Sequence, residues 1–436
     1  MNSPGRKISV GTFVMIVMTL LVMIGSTVIL VRLFSGNTAD LSGIGKKSGQ
    51  HITKTSSAEK KASASSESDS RKYKGGGSGN FSKPDEENDN SAINAGGRFT
   101  MTVAGTAAME ESVRKSGYLS ELKIYDLSEI MSLLKRELTS DINIVFLENI
   151  LTDSTKPSDI IAPSETAVML KEAGFNMAAC GFQGAWNKKA DGIADTRKYL
   201  TEAGITPIGV YSPDDMNRIQ IVNCGGIPTA ILQYTATISQ NERKKMKKEN
   251  QSGTVPAADP EAIAADITEA RSRGANLVII LMNWGSRGKQ PDSNIKKLAQ
   301  KIADAGADII IGSGSRKPQA AEYLNAIHAD GSQAQVLCVW SLGLTLSKDR
   351  SKSQNMAGYL FHVEFIMDSS RDVRINNLAY TPLYTWLYSQ DKRDSYRCLA
   401  ANRTPPDGMD IKQQNTMSRV ADITREALKD SPLTER

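Results

Sequence analysis

The stretch Leu277-Val278-Ile279-Ile280-Leu281-Met282-Asn283-Trp284-Gly285 constrains this chain more than any other, because an unbroken apolar run ends there in an abrupt Asn-Trp-Gly. A strand with one face in water alternates apolar and polar residues; a strand covered on both faces is apolar throughout. Entered through Gly274 after a helical segment, this run predicts a doubly covered strand of an α/β sheet. Such sheets place their chemistry at the carboxyl ends of their strands. An imidazole at position 283 would point off the strand tip as a metal ligand, but the residue there is Asn283.

The same unit recurs along the chain, a helix ending in glycine and running into an apolar strand. Glu172-Ala173-Gly174-Phe175, Glu202-Ala203-Gly204-Ile205, Ser272-Arg273-Gly274-Ala275 and Asp304-Ala305-Gly306-Ala307 are such joints. Each glycine is placed as the left-handed residue just past a helix end. Asp259-Pro260 marks the start of the helix that runs to Arg273. Strands are predicted at about 99–105, 142–147, 176–181, 206–210, 275–282, 308–312 and 335–342. Arg218 to Thr235 reads as a hairpin around Gly225-Gly226, and a further β pair is expected at about 358–368 and 372–386. The fold class is a layered α/β sandwich with antiparallel additions. It occupies about residues 98–388, and 389–436 reads as a tail with one amphipathic candidate, Met417 to Leu428.

Residues 1–7 form a short lead-in, and 8–33 an uncharged apolar segment up to Val31, preceded by Arg6 and Lys7. Its length meets the need of about 20 residues for a bilayer span and exceeds a signal-peptide core of roughly 7–15. No small-x-small cleavage site follows, so an uncleaved single-pass anchor in the cell membrane is expected, with the long downstream domain outside. Residues 34–97 are rich in Ser, Gly, Lys, Asp and Asn. They offer too little apolar surface to offset ordering entropy, and read as a flexible tether.

A net charge of +5 over 436 residues argues against a dedicated nucleic-acid binder. Imidazole is scarce: His51, His328 and His362 are the only histidines, none at a strand tip. The four cysteines, Cys180, Cys224, Cys338 and Cys398, lack metal-site spacing and read as small buried hydrophobes. Export of the domain would permit a disulfide, whose pairing the spacing does not choose.

In order, the predicted tips read Val103-Ala104-Gly105-Thr106, Val145-Phe146-Leu147-Glu148-Asn149, Ala179-Cys180-Gly181-Phe182-Gln183-Gly184, Met282-Asn283-Trp284-Gly285, Ile311-Gly312-Ser313-Gly314-Ser315-Arg316 and Trp340-Ser341-Leu342-Gly343. Over about residues 98–388 this resembles the CapA family, capsule-synthesis proteins of poly-γ-glutamate with a calcineurin-like metallophosphoesterase fold. In that family the same tips carry Gly-Asp, Asn-Leu-Glu, Asn-Asn-His, His-Trp-Gly, Gly-His-x-Pro-His and Ser-Leu-Gly-Asn-Phe. The departures are systematic. Thr106 stands for the Asp of Gly-Asp, and Phe182, Gln183 and Gly184 stand for Asn-Asn-His. Asn283 replaces the His of His-Trp-Gly, Ser313 and Arg316 replace the two His of Gly-His-x-Pro-His, and Leu344 replaces the Asn. The Trp284 and Gly285 that shape the turn remain, but of the polar tip residues only Glu148 stands.

A two-metal mechanism holds paired ions about 3.5–4 Å apart and needs a bridging carboxylate with several imidazole or carboxylate ligands. Glu148 with neutral amides and hydroxyls does not supply them, so neither a metal nor another cofactor is expected. The crevice residues expected to bind ligand are Glu148, Gln183, Asn283, Arg287, Ser313 and Arg316. Arg316, with Lys317, Arg287 and Lys289 nearby, sits where bound metal would have supplied positive charge, and is expected to contact an anionic polymer bidentately. Ser341 has no histidine placed as its base. The basic run Glu242 to Glu249 invites a membrane or wall-polymer reading, beside the commoner one of a solvated helix or loop face. The resemblance implies the pathway, capsule or envelope polymer biogenesis, with an anionic polymer or the capsule-synthesis machinery as partner; the lost ligands predict a non-catalytic role in it, and the apolar segment a membrane anchor. The other reading is an active metal-independent or single-metal hydrolase or transferase with a site rebuilt around Glu148.

Overall fold

The computed structural model describes residues 96–436 apart from 154–157, 215–216 and 391–392. The expected membrane span and all but the last residues of the expected tether lie outside the described residues. Among the described residues no helix is long and apolar enough to cross a membrane.

Two large sheets account for most strands. In chain order these are β1 (Gly97–Ala107), β2 (Ile142–Leu147), β3 (Met177–Ala179), β4 (Thr206–Ile208), β5 (Ile221–Cys224), β6 (Ile227–Thr235), β7 (Leu277–Asn283) and β8 (Ile309–Ser313). There follow β9 (Pro318–Ile327), β10 (Gln333–Leu342), β11 (Leu344–Leu346), β12 (Ala357–Met367), β13 (Val373–Gln390), β14 (Arg393–Ala400) and β15 (Thr434–Glu435). The nine-stranded sheet runs β14-β13-β12-β1-β2-β3-β4, with β11 beside β1 and β15 beside β13. The six-stranded sheet runs β9-β10-β8-β7-β6-β5. Both are mixed. β1 through β4 are parallel to one another, as are β6, β7, β8 and β10, while β5, β9 and β12 to β14 pair antiparallel.

The helices are α1 (Glu111–Ser116), α2 (Glu165–Ala173), α3 (Lys189–Glu202), α4 (Gln240–Lys248), α5 (Pro260–Ser272), α6 (Ser293–Asp304) and α7 (Ile411–Leu428). They cover the outer faces, so the molecule is layered helix, sheet, sheet, helix. Strand β7 shows why its sequence is apolar throughout. Leu277, Ile279 and Leu281 face Met101, Val103 and Phe361 of the other sheet. The alternate residues, Val278, Ile280 and Met282, meet Ile263 and Ile267 of α5 and Ile302 of α6. Each such burial stabilises by about 1.5–3 kcal/mol, and Ile279→Ala would cost about 2–5 kcal/mol.

The joints form as their sequence predicts. Gly174, Gly204, Gly274 and Gly306 have φ of +113°, +74°, +97° and +98°. After α5, the Gly274 N–H bonds Arg271 and the Ala275 N–H bonds Ala270, closing the helix and releasing the chain into β7. At the start of α5, Asp259 Oδ1 accepts the Ala262 N–H at 3.0 Å. The expected hairpin is β5–β6, turning at Gly225-Gly226.

The tail reading of residues 389–436 is corrected. These residues belong to the same compact unit as the other described residues. Strand β14 pairs with β13 from Leu383 to Gln390. Helix α7 is longer than the amphipathic candidate, and buries Met417, Val420 and Ala421 against Tyr384, Trp386 and Leu399. The apolar faces of β13 and β14 demand that cover. Strand β9, which periodicity missed, forms an edge paired with β10.

Candidate functional site at the strand tips

The carboxyl ends of both sheets meet at one crevice. Thr106 lies one residue before the end of β1 and Glu148 follows β2 in the nine-stranded sheet; Asn283 and Ser313 end β7 and β8 in the six-stranded one. A pair of hydroxyls joins the two sheets, Thr106 Oγ1 and Ser313 Oγ lying 3.0 Å apart. With Ser313 as donor, Thr106 is left free to donate to Glu148 Oε1 at 3.1 Å. Asn283 Nδ2 donates to the same oxygen at 3.4 Å, and its Oδ1 accepts Thr237 Oγ1 at 3.1 Å. Nearby, Gln233 of β6 and the backbone of Gly181 exchange two hydrogen bonds of 2.9 Å, a second tie between the sheets.

Arg316 closes the crevice from the loop after β8. Its Nε and Nη2 donate to Glu148 Oε2 at 3.0 and 2.6 Å, and its Nη1 donates to Glu110 Oε1 at 3.1 Å. The other oxygen of Glu110 accepts Ser347 Oγ at 3.1 Å and the Lys348 N–H at 2.8 Å. These side chains are 17% exposed for Arg316, 11% for Glu148 and 6% for Glu110. Burial disfavours the guanidinium charge, but the two carboxylates outweigh it and raise the Arg316 pKa above its usual value. Arg316 adopts a left-handed backbone, φ +58°, one residue after the buried Ser315 and two after Gly314 at φ +106°. That turn carries the side chain inward.

The aromatic residue of the Asn-Trp-Gly tip is scaffolding. Trp284 Nε1 donates to the Trp340 carbonyl at 2.9 Å, and the two indoles lie 5.6 Å apart. Gly312 makes room, since a Cβ there would fall 2.3 Å from Trp284 Nε1. Ser341 is buried, with Ser315 donating to its hydroxyl at 2.9 Å.

Of the residues singled out from sequence, Glu148, Asn283, Ser313 and Arg316 form one hydrogen-bonded cluster. Gln183 and Arg287 line the same cavity, of about 700 Å³, without bonding to that cluster. Arg287 is 64% exposed, its nearest carboxylate oxygen 3.8 Å away on Asp349. The expectation that Arg316 is a free bidentate contact for a polymer is corrected: three of its nitrogens are already engaged by protein carboxylates. Glu110 and Thr237 were missed. Glu110 lies in a loop, and its partner Arg316 is 206 residues away, a separation no local pattern signals.

A two-metal centre can be tested against this donor set. Among the described residues no group of three or more His, Cys, Asp or Glu is placed to hold a metal ion. The two carboxylates at the crevice share a guanidinium, and the remaining donors are neutral hydroxyls and an amide. This set does not fit a pair of transition metals.

Fold and site together define the class: an α/β protein of two face-packed mixed sheets whose strand-tip crevice is charge-compensated from within. The chain belongs to the bacterial capsule synthesis protein PGA_cap family, whose model matches residues 100–348, more than half of its length. It is similar to the PGA biosynthesis protein CapA of Bacillus subtilis, 28% identical over 151 residues, covering 34% of this chain and 38% of that one. Similarity to the capsule biosynthesis protein CapA of Bacillus anthracis is 28% over 156 residues, covering 35% and 37%. The matched region therefore spans less than two fifths of either relative. Among solved structures, the chain is similar to the calcineurin-like phosphoesterase YfkN of Bacillus subtilis, with a TM-score of 0.36, 12% identity, and coverage of 76% and 99%. It is also similar to the NAD nucleotidase NadN of Haemophilus influenzae, with a TM-score of 0.38, 11% identity, and coverage of 78% and 57%.

Proposed function

We propose that this chain is a membrane-anchored, outward-facing component of capsule or cell-envelope polymer biogenesis that binds or scaffolds an anionic polymer, poly-γ-glutamate or a polysaccharide, without catalysing its chemistry. Family membership and similarity to the two CapA relatives, a PGA biosynthesis and a capsule biosynthesis protein, support the pathway. The apolar segment 8–33 supports the anchor. The observation that carries the non-catalytic reading is the Arg316 guanidinium lodged between Glu148 and Glu110. A carboxylate bound twice by one guanidinium, with its other oxygen taken by Thr106 and Asn283, has no lone pair positioned to activate water.

The test is metal analysis of the purified full chain joined to a phosphoesterase and peptidase screen. No stoichiometric metal and no turnover are expected. Stoichiometric divalent metal, or turnover abolished by Glu148→Gln, would establish instead the hydrolase reading built on Glu148. Alkaline extraction of membranes checks the anchor: the full chain stays with the bilayer, and its release into the supernatant overturns that part.

A further inference from the structure

The crevice does not end at Gln183. A second cavity, of about 730 Å³, shares Gln183 and Gly184 with the first and continues to helix α4. Lys245 and Lys248 line it, together with Glu242 and Glu249. Residues three apart stand on one face of a helix, here separated by about 4.5 Å along its axis. The helix is held at a fixed rotation. Met246 is buried in the core beside Trp186, and Ser239 and Glu242 cap the first turn reciprocally at 3.2 and 3.1 Å.

The charges of this cavity are unequally used. Glu242 is committed to the cap, and Glu249 pairs with Lys189 at 2.9 Å. Lys245 and Lys248 have no carboxylate partner among the described residues. The crevice itself offers little positive charge, because Arg316 is neutralised from within, and its exposed cation is Arg287, on the loop after β7.

We propose that these two cavities form one groove for a linear polyanion, held at one end by Lys245 and Lys248 and passing Gln183 toward Arg287. This rests on the polymer-binding reading above and relocates the electrostatic contact from Arg316 to α4. A chain with an anionic group every few ångströms meets successive cations along the groove, whereas a small anion meets one. Binding weakens as salt screens the exposed lysines.

The experiment measures binding of poly-γ-glutamate of defined length to the full chain, to Lys245→Gln/Lys248→Gln, and to Lys244→Gln/Lys247→Gln. The last pair removes the same charge from the same helix but outside the cavity. The expected result is about a tenfold loss for the first pair and less than about twofold for the second. Thermal melts of both pairs establish that they fold; Arg287→Gln, which lines the first cavity and not the second, gives an independent loss. Equal losses for the two lysine pairs, or none for either while the wild type binds, overturn the placement alone. Absence of binding by the wild-type chain overturns the polymer-binding reading and this inference with it.

Discussion

Arg316 and Glu148, 168 residues apart in sequence, are joined through a single oxygen: both Nε and Nη2 of the guanidinium reach Glu148 Oε2, at 3.0 and 2.6 Å. Removing the cation would leave the largely buried carboxylates of Glu148 and Glu110 without their shared counter-charge. Breaking one partner of a buried pair commonly costs about 3–5 kcal/mol, most of it the penalty of an uncompensated charge. Arg316→Ala is therefore expected to lower unfolding free energy by that order in urea titration, and Arg316→Ala/Glu148→Gln to recover part of it. Additive losses in the double variant would contradict the coupling. Lysine should rescue poorly, since one ammonium does not reproduce the planar fork.

His362 makes stability depend on pH. Thr102 and Thr381 flank its ring nitrogens at 2.8 and 3.0 Å. Burial, then the charges of Arg436 and Arg403, push its pKa down from 6.5 to about 3. The native ring stays neutral while the unfolded chain takes up a proton, so stability is complete above about pH 6.5 and is lost as pH falls toward about 3. The slope from this residue is about 1.4 kcal/mol per pH unit within that window. Urea unfolding of the wild type and His362→Gln across pH 7 to 4 checks it: the variant's curve should be shallower by that slope.

All four cysteines are buried and free. Burial pushes the Cys180 and Cys398 thiols up to about 12 and raises the other two. Thiol titration at pH 8 should find none reactive in the native chain and all four after denaturation. A reactive thiol in the native chain, or a shortfall after denaturation without reductant, would contradict this. The disulfide left open by composition is not formed among the described residues.

Ending the chain at residue 388, where periodicity places the domain boundary, should prevent folding. It removes β14 and α7, exposing Tyr384 and Trp386. Soluble yield and thermal melting of residues 1–388 against the full chain give the comparison; a cooperative melt from the shorter chain would show that the last layer is dispensable.

What the sequence made legible follows physical reach. Strand β7 and the four glycine joints were readable because burial on both faces and left-handed helix ends leave local marks. Strand β9, Pro-Gln-Ala-Ala-Glu-Tyr-Leu-Asn-Ala-Ile, was not, because an edge strand half in solvent mixes polar and apolar residues without strict alternation. The start of α7 was overlooked although Asp410 and Gln413 form a capping box at the right spacing. At the crevice, the residue types were readable and their partners were not. The inward turn at Arg316 depends on a backbone angle that only the folded loop fixes.

Strand β1 runs the depth of the fold. Gly97 opens it and Thr106, nine residues on, stands in the crevice, a run of about 30 Å at strand rise. Whatever is joined ahead of Gly97 meets the fold at its back, by the Gly225-Gly226 turn, where the Arg98 N–H bonds Gly225. In the proposed function, attachment and ligand entry therefore use opposite ends of the same strand, and a tag joined directly ahead of Gly97 meets the fold away from the crevice.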